Sequence, residues 1–293
     1  MRCENCGTKG VVSRNQAQQI WRFLDTGHAD PFFNMALDEA IAVIAEHAEG
    51  MPTIRVYGWK PAAVSIGYSQ KALAAVNVKK LARLGIPLVR RLTGGRAVFH
   101  DQEVTYSVMA PKGQLGAPQS ILKTYRRIGQ ALVASLGRLG VSAHLSRVVS
   151  RGWGHGVRSA LHPCFSSFGR YEVLVGHHKV VGSAQRLIGG VVLQHGSLLT
   201  GEGHLRIAQL LPLGDEVNRE KMLQELREKT ISLGALLSRR VSYAEVARAL
   251  FLGFQEVLSS DSIEPGELLT GEKNMARRLV RERYARQEWT LRR

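Results

Sequence analysis

Arg90-Arg-Leu-Thr-Gly-Gly-Arg-Ala-Val-Phe-His-Asp101 is the densest cluster of chemically informative residues in this 293-residue chain. Its adjacent glycines, Gly94 and Gly95, let a backbone approach a ligand closely or adopt positive φ. The flanking arginines, Arg90 foremost, and the exposed amides suit an anionic or carbonyl group. The stretch is not a P-loop, because no Gly-Lys-Ser/Thr follows, and it is not Gly-x-Gly-x-x-Gly. A tight hairpin with a basic rim, between strands at 88–91 and 97–100, accounts for the same residues. The pattern alone leaves both readings open.

Working outward, residues 34–48 read as a helix with Asn34 as cap and Leu37, Ile41 and Ile44 on one face. Strand-like runs at 53–57 and 63–67 flank the turn-forming Gly58-Trp-Lys-Pro61. A helix over 76–84 should end at Gly85 and Pro87. Beyond the cluster, 104–110 alternates as a strand does, and 120–139 is the clearest helix, stopped by Gly140. Three further strand-like runs lie at 171–175, 179–182 and 191–199. Strands and helices occur in mixed order, without the alternation of a doubly wound fold, so the expected class is α+β. Three segments follow: a polar extension at 1–17, a catalytic-type domain at 18–215, and a basic helical segment at 216–293. The last 17 residues hold seven arginines and two glutamates and read as a solvated helical face.

Composition narrows the function classes. Forty Lys and Arg against 24 Asp and Glu give a formal charge of +16, a field that favours acidic partners. Nucleic acid is not the expected one: no binding motif is visible, and aromatics, only 6% of the chain, do not interleave with the basic residues. Three cysteines are too few for a disulfide framework and fit a reducing compartment. No apolar run has the length of a membrane span, and no signal peptide is visible, so a cytoplasmic protein without a membrane partner is expected.

The stretch 146–169, rich in Gly, Ser, His and Arg, has little periodicity, and a long loop of this kind is usually functional or mobile. Near its end stands Cys164, in a Pro- and Ser-containing context that suggests partial exposure. Fifteen residues on, Lys179 interrupts an apolar strand pattern; an ammonium beside a thiol favours the nucleophilic thiolate. Other assemblies are weaker. His100-Asp101 with Ser107 or Ser183 as nucleophile lacks a Gly-x-Ser-x-Gly elbow. His155, His162 and Cys164 match no familiar zinc spacing, and Cys3-x-x-Cys6 supplies two ligands where a structural zinc needs four. No metal is expected.

The ordered set Trp21, Asn34-Met-Ala-Leu-Asp-Glu39, Tyr57-Gly-Trp, Val64-Ser-Ile-Gly67, the 90–101 cluster, Thr105-Tyr-Ser107, Cys164, Lys179-Val-Val-Gly-Ser-Ala-Gln185 and Gln194-His-Gly-Ser197 resembles the lipoate–biotin protein ligase superfamily. Within it, the chain is similar to octanoyltransferases of the LipM type. The resemblance covers about residues 20–215. It implies a mixed β-sheet flanked by helices, an acyl tunnel, and no cofactor. It also implies transfer of octanoyl from acyl carrier protein to a lysine of a lipoyl domain such as the glycine cleavage H protein. Cys164 then corresponds to the thioester nucleophile and Lys179 to the lysine that lowers its pKa. Arg90, Gly94, Gly95, Val98, His100, Gly182, Ser183, Ala184, Gly196 and Ser197 fall in the acyl-site segments. An ATP-dependent lipoate–protein ligase would use Lys179 without needing Cys164, and a lipoyl-domain amidotransferase would also use a cysteine. The chain departs from relatives in the Gly-, Arg- and His-rich residues 148–161 and in its Cys-x-x-Cys leader.

Overall fold

The structure, a computed structural model, describes residues 19–47, 51–112, 114–115, 121–146, 171–259 and 261–292. The leader with Cys3 and Cys6, the residues His155 and His162, and Cys164 lie outside the described residues.

In chain order, the first elements are β1 (Ile20–Ala29), α1 (Pro31–His47), β2 (Thr53–Trp59), β3 (Ala63–Ile66), α2 (Ala72–Ala75), α3 (Val78–Arg83), β4 (Leu88–Arg90), β5 (Val98–His100), β6 (Glu103–Pro111) and α4 (Ile121–Arg138). There follow β7 (His144–Leu145), β8 (Val173–Val175), β9 (His178–Ile188), β10 (Val191–Leu199), α5 (Ile207–Leu210), α6 (Glu216–Lys229), α7 (Leu233–Leu237), α8 (Tyr243–Val257), β11 (Ser262–Pro265), α9 (Thr270–Leu279) and α10 (Gln287–Leu291). Among the described residues, eight strands form one mixed sheet in the order β11-β1-β2-β6-β10-β9-β8-β7, and three form a second, β4-β3-β5. The α+β class is therefore observed.

Strand alternation assigns the two faces of the large sheet. Val104, Tyr106 and Val108 of β6 share a hydrophobic cluster with Ile128, Leu132 and Leu136 of α4 and Leu250 and Phe254 of α8. On the opposite face, Met109 of β6 and Leu193 of β10 pack with Leu37 and Ile41 of α1. Long β6–β10–β9 pairing, antiparallel throughout, holds the centre.

Several expectations are corrected by local physics. Helix α1 begins a turn early: Asp30 accepts the amides of Phe32 and Phe33 at 2.9 and 3.2 Å, and Pro31 occupies the first helical position, where its missing N–H costs nothing. Asn34 is thereby freed from capping and bonds the carbonyls of Ala29 and Gly58. The helix expected over 76–84 is two short ones, broken where the Asn77 side chain caps α3 through the Lys80 amide. The runs flanking Gly94-Gly95 are no hairpin. β4 and β5 both pair with β3, one parallel and one antiparallel.

The C-terminal elements are also less solvated than their charge implied. β11 lies parallel to β1 at the sheet edge. Tyr284 is fully buried, with its hydroxyl donating to Glu39 at 2.7 Å, and Arg283 pairs with the same carboxylate.

Candidate active site

A cavity opens where the small sheet meets β6, β9 and β10. Its wall includes Trp59, Ser65, Arg91, Val98, His100 and Thr105 on one side and Gly182, Ser183, Ala184, His195, Gly196 and Ser197 on the other. Backbone must come close for these strands to converge. A Cβ on Gly196 would stand 2.5 Å from the Gly182 carbonyl oxygen, and one on Gly67 would stand 2.0 Å from that of Gly95. Only glycine fits either position.

Polar side chains of this wall are tied into two hydroxyl–imidazole–carboxylate chains. In the first, Ser65 Oγ lies 2.7 Å from His100 Nε2, and His100 Nδ1 lies 2.8 Å from Glu103 Oε1. Thr105 and Ser197 donate to the same Glu103 oxygen at 2.7 and 2.8 Å. In the second, Thr93 Oγ1 is 2.6 Å from His195 Nε2, and His195 Nδ1 is 3.1 Å from Asp38 Oδ2. Asp38 also accepts from Arg55 at 2.7 Å, Ser107 at 2.9 Å and Tyr57 at 3.0 Å. Burial opposes ionisation of Asp38, but Arg55 and His195 outweigh it and hold its carboxyl below the usual range. Burial pushes His195 down, so it is neutral at pH 7. An ionised carboxylate only accepts; Nδ1 of neutral His195 therefore carries the proton and Nε2 accepts from Thr93. Because each donor in these chains has an acceptor, with Glu103 Oε2 the one buried acceptor in them left without a partner among the described residues, they can wall an apolar ligand without leaving orphaned donors. Trp59 lies flat against His100, ring centroids 3.9 Å apart, and adds an aromatic face.

The structure sorts the expected site residues. Val98, His100, Gly182, Ser183, Ala184, Gly196 and Ser197 are brought together on the cavity wall. Arg90 is not: its guanidinium turns away and donates to the carbonyls of Gly67, Tyr68, Gln70, Trp289, Thr290 and Arg292. Arg91 faces the cavity instead and donates to Ser65 Oγ at 3.0 Å. Gly94 and Gly95 stand behind the wall, where Gly94 accepts from Arg91 at 2.8 Å. The triad of His100 and Asp101 with Ser107 or Ser183 does not form, since Ser107 bonds Asp38 and Ser183 bonds Tyr106. Burial lifts the Tyr106 phenol to about 12, so it remains a hydroxyl there. Ser65, Arg91 and His195 were missed. Adjacent-strand pairing unites them, and a sequence shows that only when its register is known.

Lys179 sits on β9 three residues before Gly182, buried, with Nζ 3.0 Å from Glu172 Oε2. Ser146 and Glu172 bracket residues 147–170 and are bound to each other: the Ser146 amide donates to the Glu172 carbonyl, and the Glu172 amide to Ser146 Oγ, both at 2.9 Å. Among the described residues there is no cluster of three metal-ligating side chains, and no helix is long and apolar enough to cross a membrane.

A mixed sheet with this glycine-lined cavity defines a class. The chain belongs to the lipoyl protein ligase A/B catalytic-domain family, whose description matches residues 30–255. It is 40% identical over 274 residues to the octanoyltransferase LipM of Kyrpidia tusciae, covering 94% of this chain and 99% of that one. The octanoyltransferase LipM of Symbiobacterium thermophilum is 40% identical over 275 residues, with 93% and 98% covered. A bi-partite lipoate protein ligase from Thermoplasma acidophilum shares the fold with a TM-score of 0.76 at 26% identity, over 93% of this chain and 96% of that one. Within the family, the chain groups with the LipM-type octanoyltransferases.

Proposed function

We propose that the protein transfers an octanoyl group from octanoyl-acyl carrier protein, through a thioester on Cys164, to a lysine of a lipoyl domain of the glycine cleavage H protein kind. The observation that carries this reading is the placement of Lys179. It is a buried cation paired with Glu172, the residue bonded to Ser146, on the strand that goes on to line the cavity. Cys164 is seven residues before Tyr171 in the chain. Seven extended residues reach about 25 Å, ample to bring the thiol to Lys179.

The chemistry then runs in two steps. The Cys164 thiolate attacks the carrier's thioester carbonyl; the carbonyl–sulfur bond to the carrier breaks, and the carrier departs as a thiol after taking up a proton. This exchange of one thioester for another needs no ATP. The neutral amine of the acceptor lysine then attacks the enzyme thioester. An amide bond forms, the bond to Cys164 breaks, and the amine's proton leaves as the thiolate is restored. Lys179 supports both steps by stabilising the anionic sulfur. Backbone amides of the 182–184 stretch supply donors for the transient oxyanion, since β8 pairs with β9 only as far as Val181 among the described residues. Hydrocarbon fills the cavity beside Trp59 and Val98, where each buried CH₂ contributes about 0.8 kcal/mol.

Intact-protein mass spectrometry tests the reading. After mixing with octanoyl-acyl carrier protein without ATP, the wild type gains an octanoyl adduct that hydroxylamine removes and that passes to a lipoyl domain, while Cys164→Ala gains none. Acylation of the lipoyl domain only when ATP and free octanoate are supplied would make the protein a ligase instead.

A further inference from the structure

The 41 residues from Lys60 to His100 contain eight Lys or Arg and no Asp or Glu. This stretch therefore carries cations with no counter-charge of its own. Its helix α3 carries Lys79, Lys80 and Arg83, which form no ion pair among the described residues. Beside them lies an apolar cleft of about 250 Å³ between α3 and α10, walled by Val78, Leu81, Ile86 and Leu88 on one side and Leu291 on the other. Arg286 adds a cation on the α10 side. Leu84, 45% exposed, extends the apolar surface at the end of α3.

The cleft is connected to the active site. Leu88 on its wall and Arg91 in the cavity wall are three residues apart on one extended stretch, about 10 Å at strand rise. On the α10 side, the chain continues from Leu291 to Arg292. The Arg292 guanidinium lies 3.5 Å from the ring centroid of Trp289 and 4.4 Å from that of Tyr68. Its Nε and Nη2 have no hydrogen-bond partner among the described residues. Tyr68 is covered in turn by Arg186, at 4.0 Å, which belongs to the cavity-lining strand β9. A track of cations therefore runs from the cleft to the strand where the acyl group is handled.

We propose that this cleft docks the acyl donor: an acidic, amphipathic helix of the carrier protein lays apolar side chains between α3 and α10 while its carboxylates meet Lys79, Lys80, Arg83 and Arg286. The proposal rests on the octanoyltransferase reading and assigns the first of its two protein partners a place. Charge complementarity selects the occupant. An apolar groove rimmed by unpaired cations attracts an acidic helix and repels a basic one.

The test uses Lys79→Glu/Arg83→Glu, with Lys79→Gln/Arg83→Gln as a milder pair, in the full-length enzyme. Both positions are exposed and lie outside the cavity. Three rates are compared: loading of the enzyme from octanoyl-acyl carrier protein, loading from octanoyl-pantetheine, and transfer from pre-loaded enzyme to a lipoyl domain. Charge reversal should lower kcat/KM for the carrier at least tenfold, the glutamine pair should lower it less, and the other two rates should stay within twofold. An unchanged carrier rate overturns the proposal, as does an equal loss with octanoyl-pantetheine or a loss confined to the acceptor step. Failure of the wild type to load from the carrier at all would instead refute the octanoyltransferase reading.

Discussion

At the scale of single residues, the site depends on charges placed where water is scarce. Lys179 is buried beside Glu172, so its ammonium is oriented rather than mobile. If it stabilises the Cys164 thiolate, Lys179→Ala should raise the thiol pKa by about one unit or more. The pH dependence of iodoacetamide alkylation at Cys164 measures this, and an unmoved profile would separate the two residues. A second residue sets an acid limit on the fold. His204 donates or accepts at Thr230 Oγ1, 2.8 Å away, and burial lowers its pKa to about 4. The unfolded chain, with an ordinary value near 6.5, binds the proton first. Stability from this group is complete above about pH 6.5 and is lost as pH falls towards 4, at about 1.4 kcal/mol per unit. Urea titrations across that range should show the slope in the wild type and a shallower one in His204→Gln.

Between elements, Arg90 joins what the chain separates. It belongs to β4, yet three of its acceptors are carbonyls of residues 289–292, and the Trp289 indole donates back to the Arg90 carbonyl at 3.1 Å. Arg90→Met should leave those carbonyls unpaired and loosen α10 from the small sheet. Hydrogen exchange at residues 287–292 should accelerate at least tenfold, while the central strands β6 and β10 stay protected. This residue also shows what the sequence could and could not convey. Arg90 and Arg91 are chemically identical neighbours, and strand alternation sends one to each side; nothing in their composition says which faces the cavity. Helix α4 was legible because its apolar face repeats and Gly140, at φ +79°, ends it. The wall residues Gly182–Ala184 and Gly196–Ser197 were legible through their motifs. Their union with Ser65 and His195 was not, because it arises from pairing across distant strands. β11 escaped notice for a related reason: four residues, ending in proline, carry no periodicity of their own and become a strand only against β1.

For the whole molecule, the relevant quantity is the +16 charge and its uneven distribution. Long-range steering of an acidic carrier is screened by salt, with a Debye length of about 10 Å at 0.1 M. Loading from octanoyl-acyl carrier protein should therefore slow several-fold between about 50 and about 500 mM salt. Loading from octanoyl-pantetheine, which lacks the carrier's acidic surface, should respond far less. Stopped-flow measurement of both donors over the same titration checks this, and parallel salt dependence would remove electrostatic steering from the account.

The parallel pairing of β1 with β11 has a consequence for biosynthesis. Ile20 lies opposite Ser262, so the first strand of the sheet waits for a partner made 242 residues later. At about 5–20 residues per second, translation leaves that edge uncovered for roughly 12 to 50 s. Throughout this interval Trp21 and Phe23, buried in the finished protein, belong to a nascent chain with an unpaired strand edge. The ribosome-bound intermediate, rather than the folded enzyme, is thus the form most in need of a chaperone.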